Sequence, residues 1–212
     1  VTLSEQFMVV AVHYVLLSWV YDAFRELPYL RVRGAYGCGK TRTLHVIGHL
    51  LYKPIFASGA TTVSPIFHTL DLFRGSLVLD EADFRFSEKT AELTKILNNG
   101  NAAGFPVLRS VPNDQKLYDP RAFAVFGPKL VAMREFFDDA ALESRFLTET
   151  MGTVPPADGI PISLPDSFAA EASSLRAKLL AYRFATVPTI AVPIADVESG
   201  LTPRTRQILA PL

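Results

Sequence analysis

The sequence is poor in sulfur and has no excess of either charge. One cysteine, Cys38, in 212 residues excludes an intramolecular disulfide and suits a reducing compartment, so a cytoplasmic protein is expected. Lysine plus arginine and aspartate plus glutamate number 21 each, which removes any global electrostatic grip on nucleic acid or an acidic membrane. Contact of that kind has to be local. No internal repeat or low-complexity tract is visible. The most apolar run, Phe7 to Val20, is about 14 residues, against the roughly 18 to 20 that a membrane helix needs. No basic segment or small-residue cleavage site accompanies it, so it reads as a buried helix with no membrane role.

What the chain does have is a substantial apolar content, 49% against 20% charged residues, enough for a sizeable core. It also carries one stretch of unusual chemistry. Residues 34–41 read GAYGCGKT, the pattern G-x-x-x-x-G-K-[ST]. Gly34, Gly37 and Gly39 allow bare backbone N–H groups, those of Ala35, Tyr36 and Cys38 included, to close around phosphate oxygens. Lys40 adds a mobile positive charge, Thr41 a hydroxyl for Mg²⁺, and Arg42 a second cation in the first helical turn. An alternating strand, Tyr29 to Arg33, precedes the loop, and the apolar spacing of a helix runs from Thr41 to Leu51, the order an anion site requires. With neither a His nor a second Cys nearby in sequence, Cys38 reads as a small filler.

A second landmark is Ser76 to Asp83, SLVLDEAD. Its apolar residues make a buried strand, and carboxylates stand at the C-terminal end, where α/β sheets place ligands. Asp80 is the expected Mg²⁺ residue, and Glu81 the base that polarises the water attacking the γ-phosphate.

The remaining elements follow from caps and breakers. A helix is expected from 4 to 26, with Ser4 as N-cap and Pro28 ending it. A short strand at Pro54–Ala57 leads to a helix capped by Ser64. Ser87 caps a helix to about Asn98. Residues 104–118 read as a hairpin with Arg109 and Lys116 near its ends, a candidate polymer-contacting loop, and 123–132 as one long strand broken at Gly127-Pro128. A short helix spans about 138–144, then a last strand 146–150. Four prolines and two glycines between 152 and 165 mark a connector, followed by a helix capped by Asp166 and a final helix opening at Thr202-Pro203. This divides the chain into an N-terminal helix and linker (1–28), a nucleotide-binding core (29–152) and a connector with a partial helical lid (153–212).

With GAYGCGKT, LVLDEAD and ALESR in this order, the chain resembles the AAA+ ATPases, most closely the AAA+ domains associated with primases and helicases of mobile elements, plasmids and phages. The string D-E-A-D does not make it a DEAD-box helicase, which needs two tandem domains. The resemblance implies an α/β fold, a parallel sheet of strand order 5-1-4-3-2 under a helical lid, ATP and Mg²⁺ as cofactors, and a homo-oligomer, a hexameric ring, acting on DNA beside a primase or other replication protein. It also implies that Arg145 is an arginine finger reaching a neighbouring subunit, and that Arg204, or failing it Arg206, is the lid arginine that senses the γ-phosphate. One departure stands out: Met133 occupies the place of the usual polar residue ending the fourth strand, so either Arg134 substitutes for it or the role is absent.

Overall fold

The computed structural model describes residues 2–59, 61–80, 88–112, 117–152, 159, 161, 163–190, 200 and 203–212, with backbone alone for 88–90. In chain order the first half contains α1 (Glu5–Val20), β1 (Tyr29–Arg33), α2 (Lys40–Gly48), β2 (Pro54–Ser58), α3 (Val63–Phe73), β3 (Ser76–Asp80) and α4 (Glu88–Asn99). The second half contains β4 (Val107–Pro112), β5 (Tyr118–Phe123), β6 (Lys129–Met133), α5 (Ala140–Glu143), β7 (Phe146–Thr150), α6 (Phe168–Thr186) and α7 (Pro203–Leu209).

Five strands pair in parallel in the order β2-β3-β6-β1-β7, and β4 with β5 forms a separate antiparallel hairpin. These labels differ from the expected 5-1-4-3-2 because the hairpin takes two numbers. Counted without it, the five strands read 2-3-4-1-5 from one edge and 5-1-4-3-2 from the other. β1 lies between β6 and β7, with Leu30 opposite Leu130 and Leu147. A parallel sheet buries both faces. Leu30, Val32, Val78, Leu130 and Ala132 meet α1 and α2 on one side, while Tyr29, Leu79, Val131 and Met133 meet Leu93 and Leu97 of α4 and Leu142 of α5 on the other. α3 and the hairpin close a third cluster around Phe67, Leu70 and Phe123.

Ser4 caps α1 by accepting from the Phe7 N–H, as the sequence indicates. The helix stops at Val20 and continues as a 3-10 turn over Tyr21–Ala23. At 19 residues, Glu5–Ala23 is long and apolar enough to cross a membrane by length and composition, more than the 14-residue run had suggested. Half of it is buried in the molecule. Tyr14, fully buried, donates to the carbonyl oxygens of Pro28 and Lys129, and burial lifts its phenol well above the usual range. The segment set apart as 1–28 thus shares one core with β1 and β6.

Three local expectations are corrected. The broken strand expected over 123–132 is not one element: β5 ends at Phe123, residues 124–128 belong to no strand, and β6 opens at Lys129 in the other sheet, after Gly127 at φ 151° and Pro128 have turned the chain. α3 begins two residues earlier than expected, after Thr62 rather than Ser64. α6 starts after Ser167, not Asp166, and runs along α1: Arg183 forks onto Asp22 at 2.9 and 2.6 Å, and Arg176 donates to the His49 carbonyl at the end of α2. The Ser87 cap lies outside the described residues.

Candidate functional site

β1 ends at Arg33, and the chain turns through residues 34–39 into α2 at Lys40. Two glycines make that turn: Gly37 at φ 77° and Gly39 at φ 96° occupy the left-handed region, which side chains disfavour. Gly34 is required for space, since a Cβ there would stand 2.7 Å from Cys38 Sγ and 2.8 Å from the Met151 carbonyl. Cys38 is therefore a packing residue under the loop. Gly39 is also the N-cap of α2 and brings no side-chain acceptor, so the first-turn N–H groups are left for an outside anion.

Lys40 Nζ donates to the carbonyl oxygens of Gly34 at 2.7 Å and Ala35 at 2.8 Å. Arg42 donates to the carbonyls of Pro161 and Ser163, which draws the connector across the start of α2. Tyr36 is 88% exposed and stands over the cleft mouth.

The loop faces a cleft of about 520 Å³ lined by Tyr36, Gly37, Gly39, Lys40, Thr41, Arg42, His45, Asp80, Arg134 and Leu164. Asp80 arrives there because β3 lies in register beside β2 and ends at the same level, Asp80 opposite Ser58. A smaller cleft of about 300 Å³ continues past Asp80 and shares Thr41 and His45 with the first. Among the described residues, Lys40, Arg42 and Arg134 line the cleft with one carboxylate, Asp80, a set suited to a polyanion. Thr41 and Asp80 supply hydroxyl and carboxylate oxygens, the hard donors that Mg²⁺ takes. The residues present fit both a triphosphate and its magnesium. Glu81 and Lys116 lie outside the described residues.

Met133 points into the core, 2% exposed, and its sulfur is 3.7 Å from Arg31 Nη1. It cannot serve the cleft. Arg134, the next residue, lines it, and its carbonyl accepts from Arg33 Nε at 3.0 Å. Sequence reasoning missed His45, which faces both clefts one turn after Thr41; its helical spacing from the loop was the available signal.

Neither remaining arginine lines the cleft. Arg145 Nη1 donates to the Leu97 and Asn98 carbonyls and to Asn98 Oδ1 at the end of α4, while its buried Nε has no partner among the described residues. Burial pulls its guanidinium below the usual arginine range. Arg204, expected over the phosphates, instead donates to Ser144 Oγ at 3.0 Å, because α7 stands beside the Arg145 corner. α7 therefore does not bring Arg204 to the loop, where the resemblance had placed it. On the hairpin, Arg109 pairs with Glu92 and Arg121 faces Asp71 at 3.9 Å, so both basic residues have intramolecular carboxylates.

Fold and cleft together define an α/β class in which a parallel sheet sets a glycine loop and an open helix N-terminus beside an acidic strand end. No family model matches the chain, and no curated protein matches it. Among solved structures, one apo form of the NrS-1 C-terminal region is similar over 85% of this chain and 42% of that one, with TM-score 0.52 and 11% identity. A second apo structure of that region matches over 89% and 48%, with TM-score 0.51 and 11% identity. A JCV helicase structure matches over 92% and 53% with 16% identity, but its TM-score of 0.40 is too low to bear on the argument. At 11% identity the likeness to NrS-1 is one of fold alone. The chain spans about half the length of the solved chains it matches.

Proposed function

We propose that the chain is an Mg²⁺-dependent ATPase of the AAA+ type that works as an oligomer, a hexameric ring, on DNA during replication of a mobile element. One observation carries the nucleotide half: the glycine loop, Lys40, Thr41, Asp80 and Arg134 face a single cleft of about 520 Å³. In this reading the loop N–H groups and Lys40 hold the β- and γ-phosphates, and Thr41 and Asp80 hold magnesium. Bound there, magnesium neutralises charge on the phosphate oxygens. Glu81, one residue past Asp80, takes the proton of the attacking water, and Arg134 orients the γ-phosphate in place of the polar residue that Met133 replaces. Arg145 of one subunit stabilises the charge developing in the site of the next. Arg204, at the same corner, has no assigned step.

The DNA half rests on the exposed hairpin, where Leu108 and Tyr118 are each 72% exposed. The balance of 21 basic and 21 acidic residues favours a second reading, a protein remodeller or nucleotide-dependent switch without nucleic-acid binding. Turnover of ATP measured with and without magnesium, single-stranded DNA and added salt separates them. DNA stimulation that falls steeply with salt supports the motor; turnover unaffected by DNA supports the remodeller. No magnesium-dependent turnover and no ATP binding removes both.

A further inference from the structure

The buried face of β1 carries a charged residue where an apolar one would pack at less expense. Arg31 is 2% exposed in the middle of the sheet. Its guanidinium forks onto Glu143, with Nη1 to Oε1 and Nη2 to Oε2 both at 2.6 Å, and its Nε donates to Thr148 Oγ1 at 3.0 Å. The rings of Phe136 and Phe146 cover it, centroids 5.0 and 4.7 Å from Cζ. Replacing such a pair by hydrocarbon is often neutral or stabilising, so stability alone does not account for it; its geometric specificity does.

Glu143 is the point on which the segment between β6 and β7 turns. Its Oε1 also accepts from the Phe137 N–H at 2.6 Å, so one carboxylate joins β1, the 134–139 loop and α5. Alternate residues of β1 hold this segment at three places. Arg33, next to the glycine loop, donates to the Arg134 carbonyl and stacks on Phe136 at 4.0 Å. Arg31 holds Glu143. The Tyr29 N–H donates to the Arg145 carbonyl at 2.8 Å. The strand that delivers the phosphate loop therefore also fixes both ends of the segment running from Arg134 in the cleft to Arg145 at the α4 corner.

We propose that Arg31 is a positioning residue: its fork on Glu143 sets Arg145, and with it the finger, relative to the nucleotide cleft. The inference rests on the ATPase reading above and deepens it. Neither Arg31 nor Glu143 lines the cleft, so neither touches nucleotide in its own subunit.

The test compares the full chain with Arg31→Met, Glu143→Gln, Arg145→Ala and the double variant Arg31→Met/Arg145→Ala. ATP affinity, kcat, melting temperature and backbone amide exchange over 134–145 are measured for each. Arg31→Met is expected to lower kcat about tenfold or more with ATP affinity within about twofold of the parent, a loss confined to the transition state. The double variant is expected to be no slower than Arg145→Ala, because a residue acting through another adds nothing once that other is gone. Exchange over 134–145 is expected to quicken while that of α2 and β6 stays at the parent level. If Arg31→Met does not fold, Glu143→Gln, which keeps an acceptor for the Phe137 N–H, reads the same loss. Parent kcat in the folded Arg31 or Glu143 variant, or a double variant slower than Arg145→Ala by the full Arg31 factor, overturns the assignment. A parent chain without turnover sinks the ATPase reading instead, and unchanged exchange over 134–145 still sinks the clamp by itself.

Discussion

Lys40 Nζ donates to the Gly34 carbonyl at 2.7 Å, so the one lysine of the loop is held over its own backbone at the position from which a phosphate would draw it. A charge-assisted hydrogen bond contributes about 1.5–3 kcal/mol. Lys40→Ala is therefore expected to weaken ATP binding by at least about tenfold, read by equilibrium titration, with melting temperature near the parent value because Lys40 is only half-buried. Undiminished affinity in Lys40→Ala would show that the anion binds elsewhere.

The proposed function gives Asp80 and Glu81, neighbours in sequence, two different tasks. Asp80 lines both clefts, so Asp80→Asn is expected to weaken magnesium-dependent nucleotide binding more than binding without metal. Glu81→Gln, which keeps the shape and one acceptor oxygen but removes the basic carboxylate, is expected to keep ATP affinity and to lose about a hundredfold or more in turnover, the range typical of general-base removal. Turnover by Glu81→Gln at the parent rate refutes the base assignment.

Lys129 is fully buried, with Nζ donating to the carbonyls of Val125 at 2.8 Å, Gly127 at 3.0 Å and Gly100 at 3.2 Å. Burial pushes its ammonium down to about 7 from an ordinary 10.5. Below about 7 both folded and unfolded chains carry the proton. Between there and 10.5 the unfolded chain binds more protons than the folded one, so stability rises with pH across that window. Denaturant unfolding from pH 7 to 9.5 is expected to show the parent gaining stability relative to Lys129→Met, whose side chain does not titrate. A constant difference would count against the lowered value. The same cradle makes Gly100→Ala a steric test: its Cβ would lie 2.2 Å from Lys129 Nζ and 2.7 Å from the Ile96 carbonyl. Overpacking of this kind destabilises by about 1–3 kcal/mol.

Local chemistry was legible in the sequence, and long-range pairing was not. The strand, loop and helix around Lys40 follow from residues within twenty positions, and Asp80 follows from a second strand of the same kind. The Arg31 fork joins positions 112 residues apart, and nothing near Arg31 in sequence marks its partner. Lys129 opens a strand, and nothing near it in sequence marks its burial against Tyr14, Tyr29 and Gly100. Residues 123–132 read as one strand broken at Gly127-Pro128, and periodicity does not reveal that Phe123 closes the hairpin, that 124–128 join no strand and that Lys129 opens the last part in the parallel sheet. Arg204 was placed by its position in a motif, whereas its Nε meets Ser144.

Arg145 offers the sharpest test of assembly. Its side chain is held at the end of α4 by Leu97 and Asn98, outside its own subunit's cleft, so any catalytic contact has to be made with another subunit. On the proposed function, removing Arg145 would leave a subunit able to bind ATP but unable to serve its neighbour, and Lys40→Ala would leave one impaired in binding but able to serve. Each is expected to lose turnover by at least about a thousandfold when pure, on the scale of a finger arginine. Co-assembled at equal ratio they are expected to regain part of the parent rate, since some interfaces then combine an intact loop with an intact arginine. Mixtures shown by sedimentation to co-assemble, yet inactive at every ratio, would mean that Arg145 serves α4 of its own chain and no site beyond it.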